Sequence, residues 1–229
     1  MLKKSKKVKD ARKRTRSFGK DLDFASIEAY NLLRTNLTFS MPDNVSGKVI
    51  GITSPCPEDG KSTTSINLSY VLAEAGNKVL LVDADMRRPS LAKNVDLPMV
   101  PGLSNYLVEN AENAIHKGVF HENLSIMLSG EIPPNPSELI GSEKMKCFVE
   151  ELREKYDYVI FDLPPVNAVS DPLVMSKNID GMIVVVRHRH TRHRDVSEAV
   201  RQLDLVGAKM LGFVYNGVFK TKRSYRVSH

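Results

Sequence analysis

"SPCPEDGKSTTSINLSYVLAEAG" (54–76) follows the apolar run "KVIGIT" (48–53), and its reading decides the fold. Gly60-Lys61-Ser62-Thr63 has the composition of a phosphate-binding loop. In such a loop successive backbone N–H groups converge on the phosphates, and the following helix adds its positive N-terminal end. Gly60 lets the backbone come close, Lys61 brings a mobile charge to the β and γ oxygens, and Ser62 offers a hydroxyl to Mg²⁺. Asp59 and Thr63 complete the stretch expected to contact nucleotide. The usual pattern has its first glycine where this chain has Pro55. The context supports the motif all the same: a buried strand precedes it, and a helical pattern ending at Gly76 follows.

Outward from this stretch, further apolar runs read as strands: "KVLLVDAD" (78–85), "LSIML" (124–128), "YDYVIFDLPP" (156–165), "GMIVVVR" (181–187) and "KMLGFVYNGV" (209–218). Helical patterns fall at 23–39, at 136–156 with a break near Gly141, and at 193–207. In the first, Ile27, Tyr30, Leu33 and Leu37 share a face and Ser26 stands where a cap belongs. Strands apolar throughout, alternating with helices, predict an α/β fold of P-loop NTPase type. Its sheet is mostly parallel, with helices on both faces. Ligands bind such sheets at the carboxyl ends of the strands. Three polar clusters lie there, at 54–63, 83–88 and 162–165.

Magnesium takes hard oxygen ligands and is often held by one carboxylate at a neighbouring strand end. Asp162, after "YVIF", fits that place. Asp83 and Asp85 close the strand "VLLV" and are more than a simple nucleotide switch requires. Two further carboxylates beside a triphosphate suggest acid–base or second-metal chemistry, because a hydroxyl acceptor must give up its proton during transfer. The plainer alternative is that they cap the loop or pair with Arg87 and Arg88.

Composition narrows the rest. The 229 residues suffice for one sizeable α/β core. Residues 1–20 hold ten Lys or Arg and one Asp, so they carry +9 of a net +6, and the remainder carries −3. The expected organisation is a basic, disordered tail (1–20), a P-loop domain (21–218) and a flexible basic tail (219–229). The first tail suits an anionic membrane surface. It lacks the interleaved aromatics that would argue for nucleic acid. There is no run of ~18 apolar residues and no apolar signal core, which predicts a cytoplasmic chain. Cys56 and Cys147 give no disulfide framework, and Cys56 reads as inert. "RHRHTRHR" (187–194) reads as a solvated basic loop rather than a metal site, with Thr191 capping the next helix. Tyr215, inside an apolar run, reads as core. "IPPNPSELIGSE" (132–143) reads as a rigid turn entering a helix.

"SPCPEDGKSTTSINLS", "LLVDADMRRPSL" and "YDYVIFDLPPV" together resemble the Walker A, A′ and B motifs of the bacterial tyrosine kinases of capsule and exopolysaccharide synthesis. "EAYNLLRTNL" (28–37) is similar to that family's N-terminal E-x-x-R-x-x-R-x-N oligomerisation motif, with Asn31 in place of its first arginine. The resemblance runs from about Ile27 to Val218 and matches the split form, in which kinase and membrane activator are separate chains. It implies ATP and Mg²⁺ as cofactors, with Lys61 and Ser62 on phosphates and metal. It implies Asp83 near the acceptor hydroxyl as base or metal partner, and Asp85 and Asp162 organising Mg²⁺. Asn216 would bond an adenine edge, the alternative being a turn residue before Gly217. Glu28, Arg34 and Asn36 would lie at a subunit interface within a homo-oligomeric ring. Further implied partners are a membrane activator of the polysaccharide co-polymerase type and a cognate tyrosine phosphatase. The chain would then sit at the inner face of the membrane through a partner. Family tails carry a tyrosine cluster, whereas "FKTKRSYRVSH" (219–229) has Tyr225 alone, which becomes the expected autophosphorylation site. Two other readings stand beside this one: a positioning or partitioning ATPase switch, and a nucleotide-gated regulatory subunit of the polysaccharide machinery without kinase activity. The first commonly needs a second lysine early in the loop, where this chain has Pro55-Cys56.

Overall fold

The computed structural model describes residues 18–41 and 47–218. The basic residues 1–17 and the tail with Tyr225 lie outside them. In chain order the elements are α1 (Phe24–Ser40), β1 (Lys48–Thr53), α2 (Lys61–Glu74), β2 (Val79–Asp83), α3 (Leu91–Val95), α4 (Leu103–Glu109), β3 (Ile115–His116), β4 (Leu124–Met127), α5 (Pro136–Ile140), α6 (Glu143–Lys155), β5 (Tyr158–Asp162), α7 (Asp171–Met175), β6 (Gly181–Arg187), α8 (His193–Leu205) and β7 (Met210–Asn216). Among the described residues seven strands form one sheet in the order β3-β4-β2-β5-β1-β6-β7. All pairs are parallel except β3 with β4.

The central strands are apolar throughout because both of their faces are covered. Along β5, Val159 and Phe161 enter one core, and Tyr158 and Ile160 the other. Along β6, Met182 and Val184 alternate in the same way with Ile183 and Val185. The first core is closed by α4, α5, α6, α7 and α8, the second by α1, α2 and α3. This period of two is what a sheet buried on both sides requires. The predicted α/β fold with helices on both faces is therefore present.

Several local expectations need correction. Asp23, not Ser26, caps α1: its Oδ1 accepts from Ser26 N at 2.9 Å. Asp85 lies beyond β2, which ends at Asp83. Tyr215 is 59% exposed rather than core, because β7 is an edge strand and this side chain faces out beside His188. Thr191 does not cap α8, whose N-cap is Arg192. The break near Gly141 is present: α5 ends at Ile140, and Ser142 caps α6 by accepting from Met145 N at 3.1 Å. Leu37 is buried, and Tyr30 and Leu33 pack against the same core, as the helical periodicity predicts. Among the described residues no helix is long and apolar enough to cross a membrane.

Candidate active site

Parallel pairing brings the carboxylates together. β5 lies between β1 and β2, and its register sets Asp162 beside Asp83 on one side and Ile52 on the other. The loop leaving β1 therefore rises directly next to both aspartates. Gly60 is the N-cap of α2, with φ at 97°. A Cβ built on Gly60 would stand 1.9 Å from Asn216 Nδ2, so a larger residue would push that side chain off the loop and would also be strained at this φ. Gly60→Ala is expected to destabilise the fold by about 1–3 kcal/mol and to abolish nucleotide binding. Thermal unfolding and a nucleotide titration check it.

Lys61 turns into the carboxylates. Its Nζ lies 2.9 Å from Asp85 Oδ2 and 3.6 Å from Asp162 Oδ2. Burial works against the ammonium, but Asp162 and Asp85 outweigh it and hold Lys61 above its ordinary value. Burial, with Asp162 adding to it, pushes the Asp83 carboxyl well above the usual carboxylate range. Burial also raises Asp162, and Lys61 offsets only part of that rise.

The three aspartates are not equivalent. Asp83 is fully buried; its Oδ1 accepts from Asp85 N at 3.1 Å and its Oδ2 from Leu91 N at 3.3 Å. Asp162 is also fully buried, with Oδ1 accepting from Ser65 Oγ at 3.2 Å. Asp85 lines the cleft, and its Oδ1 accepts from Arg88 N at 3.1 Å. The acceptor-side role expected of Asp83 thus falls on a residue without exposed surface, while Asp85, itself only 4% exposed, lines the cleft.

The cleft encloses about 760 Å³ and is walled by Gly60, Lys61, Ser62, Asp85, Arg87 and Arg187, among others. Ser62 Oγ shares a 2.9 Å hydrogen bond with Ser90 Oγ. A hard cation fits this donor set. Asp162 Oδ2 is a buried acceptor with no hydrogen-bond donor, and hydroxyl and carboxylate oxygens of Ser62 and Asp85 are close by. Among the described residues no three His, Cys, Asp or Glu converge as a ready-made metal centre, the histidine-rich run included. Mg²⁺ is commonly held by one or two carboxylates that share the ion with substrate phosphates and water.

The remaining predicted residues are dispersed. Asn216 donates to Asp59 O at 2.9 Å, which places it against the phosphate loop. Thr63 lines the cleft. Arg34 is turned inward, with Nη1 on Val71 O of α2 at 2.9 Å, whereas Glu28 and Asn36 lie on the surface. Arg87 does not pair with Asp83 or Asp85. Its Nε and Nη2 hold the buried Asp171 at 2.8 and 3.0 Å, and Nη2 also reaches Ser137 Oγ at 2.8 Å. Ser137 Oγ in turn donates to Asp171 Oδ1, tying the start of α5 to the cleft. Sequence reasoning missed Ser90, Asp171 and Ser137. It noticed 187–194 but not its contact with the phosphate loop.

These features define a nucleotide-binding α/β protein of P-loop type. An AAA domain family matches residues 47–210. The chain is 38% identical to the tyrosine-protein kinase YwqD of Bacillus subtilis over 86% of its length and 83% of that protein. Its fold superposes on the kinase domain of Escherichia coli tyrosine kinase ETK with a TM-score of 0.80 at 33% identity, covering 87% of this chain and 78% of that one. It superposes on the chimerical protein CapA2B2 with a TM-score of 0.77 at 37% identity, covering 82% and 83%. The chain belongs to the bacterial tyrosine-protein kinases.

Proposed function

We propose that this kinase takes the terminal phosphoryl group of ATP, bound with Mg²⁺, to tyrosine hydroxyls that include its own Tyr225. We further propose that this activity regulates capsular or exopolysaccharide synthesis and export. The observation that carries the reading is the Lys61–Asp85–Asp162 cluster at adjoining strand ends, open to a cleft behind the Gly60 turn. Bound Mg-ATP supplies the phosphoryl group and a cation that offsets its charge. Ser62 and Asp162 are the residues that would hold the metal and its waters; Lys61 and the amides from Gly60 to Thr63 would hold phosphate. Asp85 faces the cleft and is suited to accept the proton of the attacking tyrosine. A tyrosine hydroxyl ordinarily ionises only near pH ~10, so a carboxylate at that place matters.

A partner is part of the reading. Phe24, Leu32 and Phe39 of α1 are 80, 63 and 86% exposed, more apolar surface than one helix of a solitary domain usually shows. They support a subunit contact near Glu28 and Asn36, consistent with a homo-oligomeric ring. A membrane activator of the polysaccharide co-polymerase type would then hold the kinase at the inner face of the membrane, with a tyrosine phosphatase reversing its products.

The test is peptide mass spectrometry after incubation with Mg-ATP, with and without the activator's cytoplasmic segment, and with free phosphate assayed in parallel. Phosphate on Tyr225 of the wild type, absent from Lys61→Met, is expected. Phosphate released to water with Tyr225 unmodified removes the tail from the reading.

A further inference from the structure

The Pro55–Gly60 segment is held from outside by the ends of β6 and β7. Glu58 and Gly60 both have positive φ, 66° and 97°. Non-glycine residues resist that conformation, so the Glu58 backbone needs external support. Asp59 supplies it, although it is fully buried and does not line the cleft. Its Oδ2 accepts from Cys56 N at 3.0 Å, inside the loop. Its Oδ1 meets Thr191 Oγ1 at 2.6 Å and His190 Nδ1 at 3.0 Å, both from the turn after β6. Its carbonyl accepts from Asn216 Nδ2 at 2.9 Å, and the carbonyl of Glu58 accepts from Arg187 Nη1 at 2.9 Å.

The Thr191 hydroxyl is central because it works in two directions. It donates to Asp59 and accepts from Arg187 N at 2.8 Å, which closes the 187–191 turn on itself. His188 N donates to Asn216 O at 2.8 Å, which ties that turn to the end of β7. The result is a ring of contacts from β6 through Thr191, Asp59 and Asn216 to β7.

We propose that Thr191 and Asp59 are positioning residues for nucleotide: together they latch the phosphate loop in the conformation that aims its amides into the cleft, without touching nucleotide themselves. The inference rests on the nucleotide reading of the cleft. It gives the histidine-rich run a function that its composition hides, with Thr191 as the specific element. A polar anchor also makes physical sense in a loop that has Pro55 where a glycine is usual, since the turn is fixed by side chains rather than by the freedom of that glycine.

The experiment measures the affinity of Mg-ADP by calorimetry, and KM for ATP with kcat, on the full chain. Thr191→Val keeps the shape and removes the hydroxyl. It is expected to weaken Mg-ADP and raise KM about tenfold, the scale of one hydrogen bond to a charged group, with kcat at saturating ATP unchanged within about twofold. Thr191→Ser restores the hydroxyl and is expected to bind within about twofold of wild type. Asp59→Asn leaves fewer acceptors for the same donors and is expected to weaken binding at least as much as Thr191→Val. Thr191→Val with wild-type affinity overturns the latch. An equal loss in Thr191→Ser also overturns it, by assigning the effect to packing. A wild-type chain that fails to bind Mg-ADP overturns the nucleotide reading, and the latch with it.

Discussion

Lys61→Met is expected to lower phosphotransfer by about a thousandfold or more, the scale set by removing a charge that meets a transferring phosphoryl group. The same substitution has a second consequence, in stability. Lys61 is the cation facing Asp85 and Asp162, and it also offsets Asp83. Without it, buried carboxylates lose their counter-charge, a change that commonly costs about 3–5 kcal/mol. They escape part of that cost by binding protons. Asp83 and Asp162 are already raised by burial in the wild type and would rise further in the variant. A carboxyl whose folded value is raised gives stability that is fully present below its unfolded value, near ~4, and lost as pH rises through the folded value. The deficit of Lys61→Met against wild type is therefore expected to grow as pH rises above the unfolded carboxyl value of about 4. Thermal melts in chelator-containing buffer read it directly. A deficit that shrinks with rising pH would contradict the charge assignment, and normal phosphorylation by the folded variant would contradict the catalytic one.

Legibility in the sequence followed the length scale of each interaction. The strands with both faces buried announced themselves as apolar runs, and Asp162 was placed at a strand end by the run before it. Gly60 and Lys61 were legible because a loop followed by a helix start is a local pattern. What failed depended on distant partners. Tyr215 sits in a run as apolar as its neighbours, and only the position of β7 at the sheet edge exposes it. Arg87 has two aspartates within four residues, yet it binds Asp171, 84 positions away. Thr191 stands one residue before a helix N-cap but reaches Asp59, 132 positions back. The short helices α3, α4 and α7 carry too few turns to show a period, so composition gave no sign of them.

The same distinction between local pattern and spatial arrangement governs the two aspartates after β2. By sequence either could face an acceptor, and resemblance assigned that role to Asp83. Geometry separates them. Asp83 commits both oxygens to backbone amides of the loop that follows it, so its substitution disturbs the walls of the site. Asp85 leaves Oδ2 for Lys61 at the cleft surface. Asp85→Asn is therefore expected to lower phosphotransfer by about 10²–10⁴, the range of a general base, with Mg-ADP affinity changed by less than about tenfold. Asp83→Asn is expected to lose transfer and nucleotide affinity together, because an amide cannot accept from both Asp85 N and Leu91 N and the 83–91 loop must shift. Kinetics and calorimetry on the two variants side by side decide between them. If Asp83→Asn instead loses transfer while binding Mg-ADP normally, the proton is taken at Asp83, and a buried carboxyl must become accessible during the reaction. That outcome would make the loop after β2 a moving part of the enzyme rather than a wall.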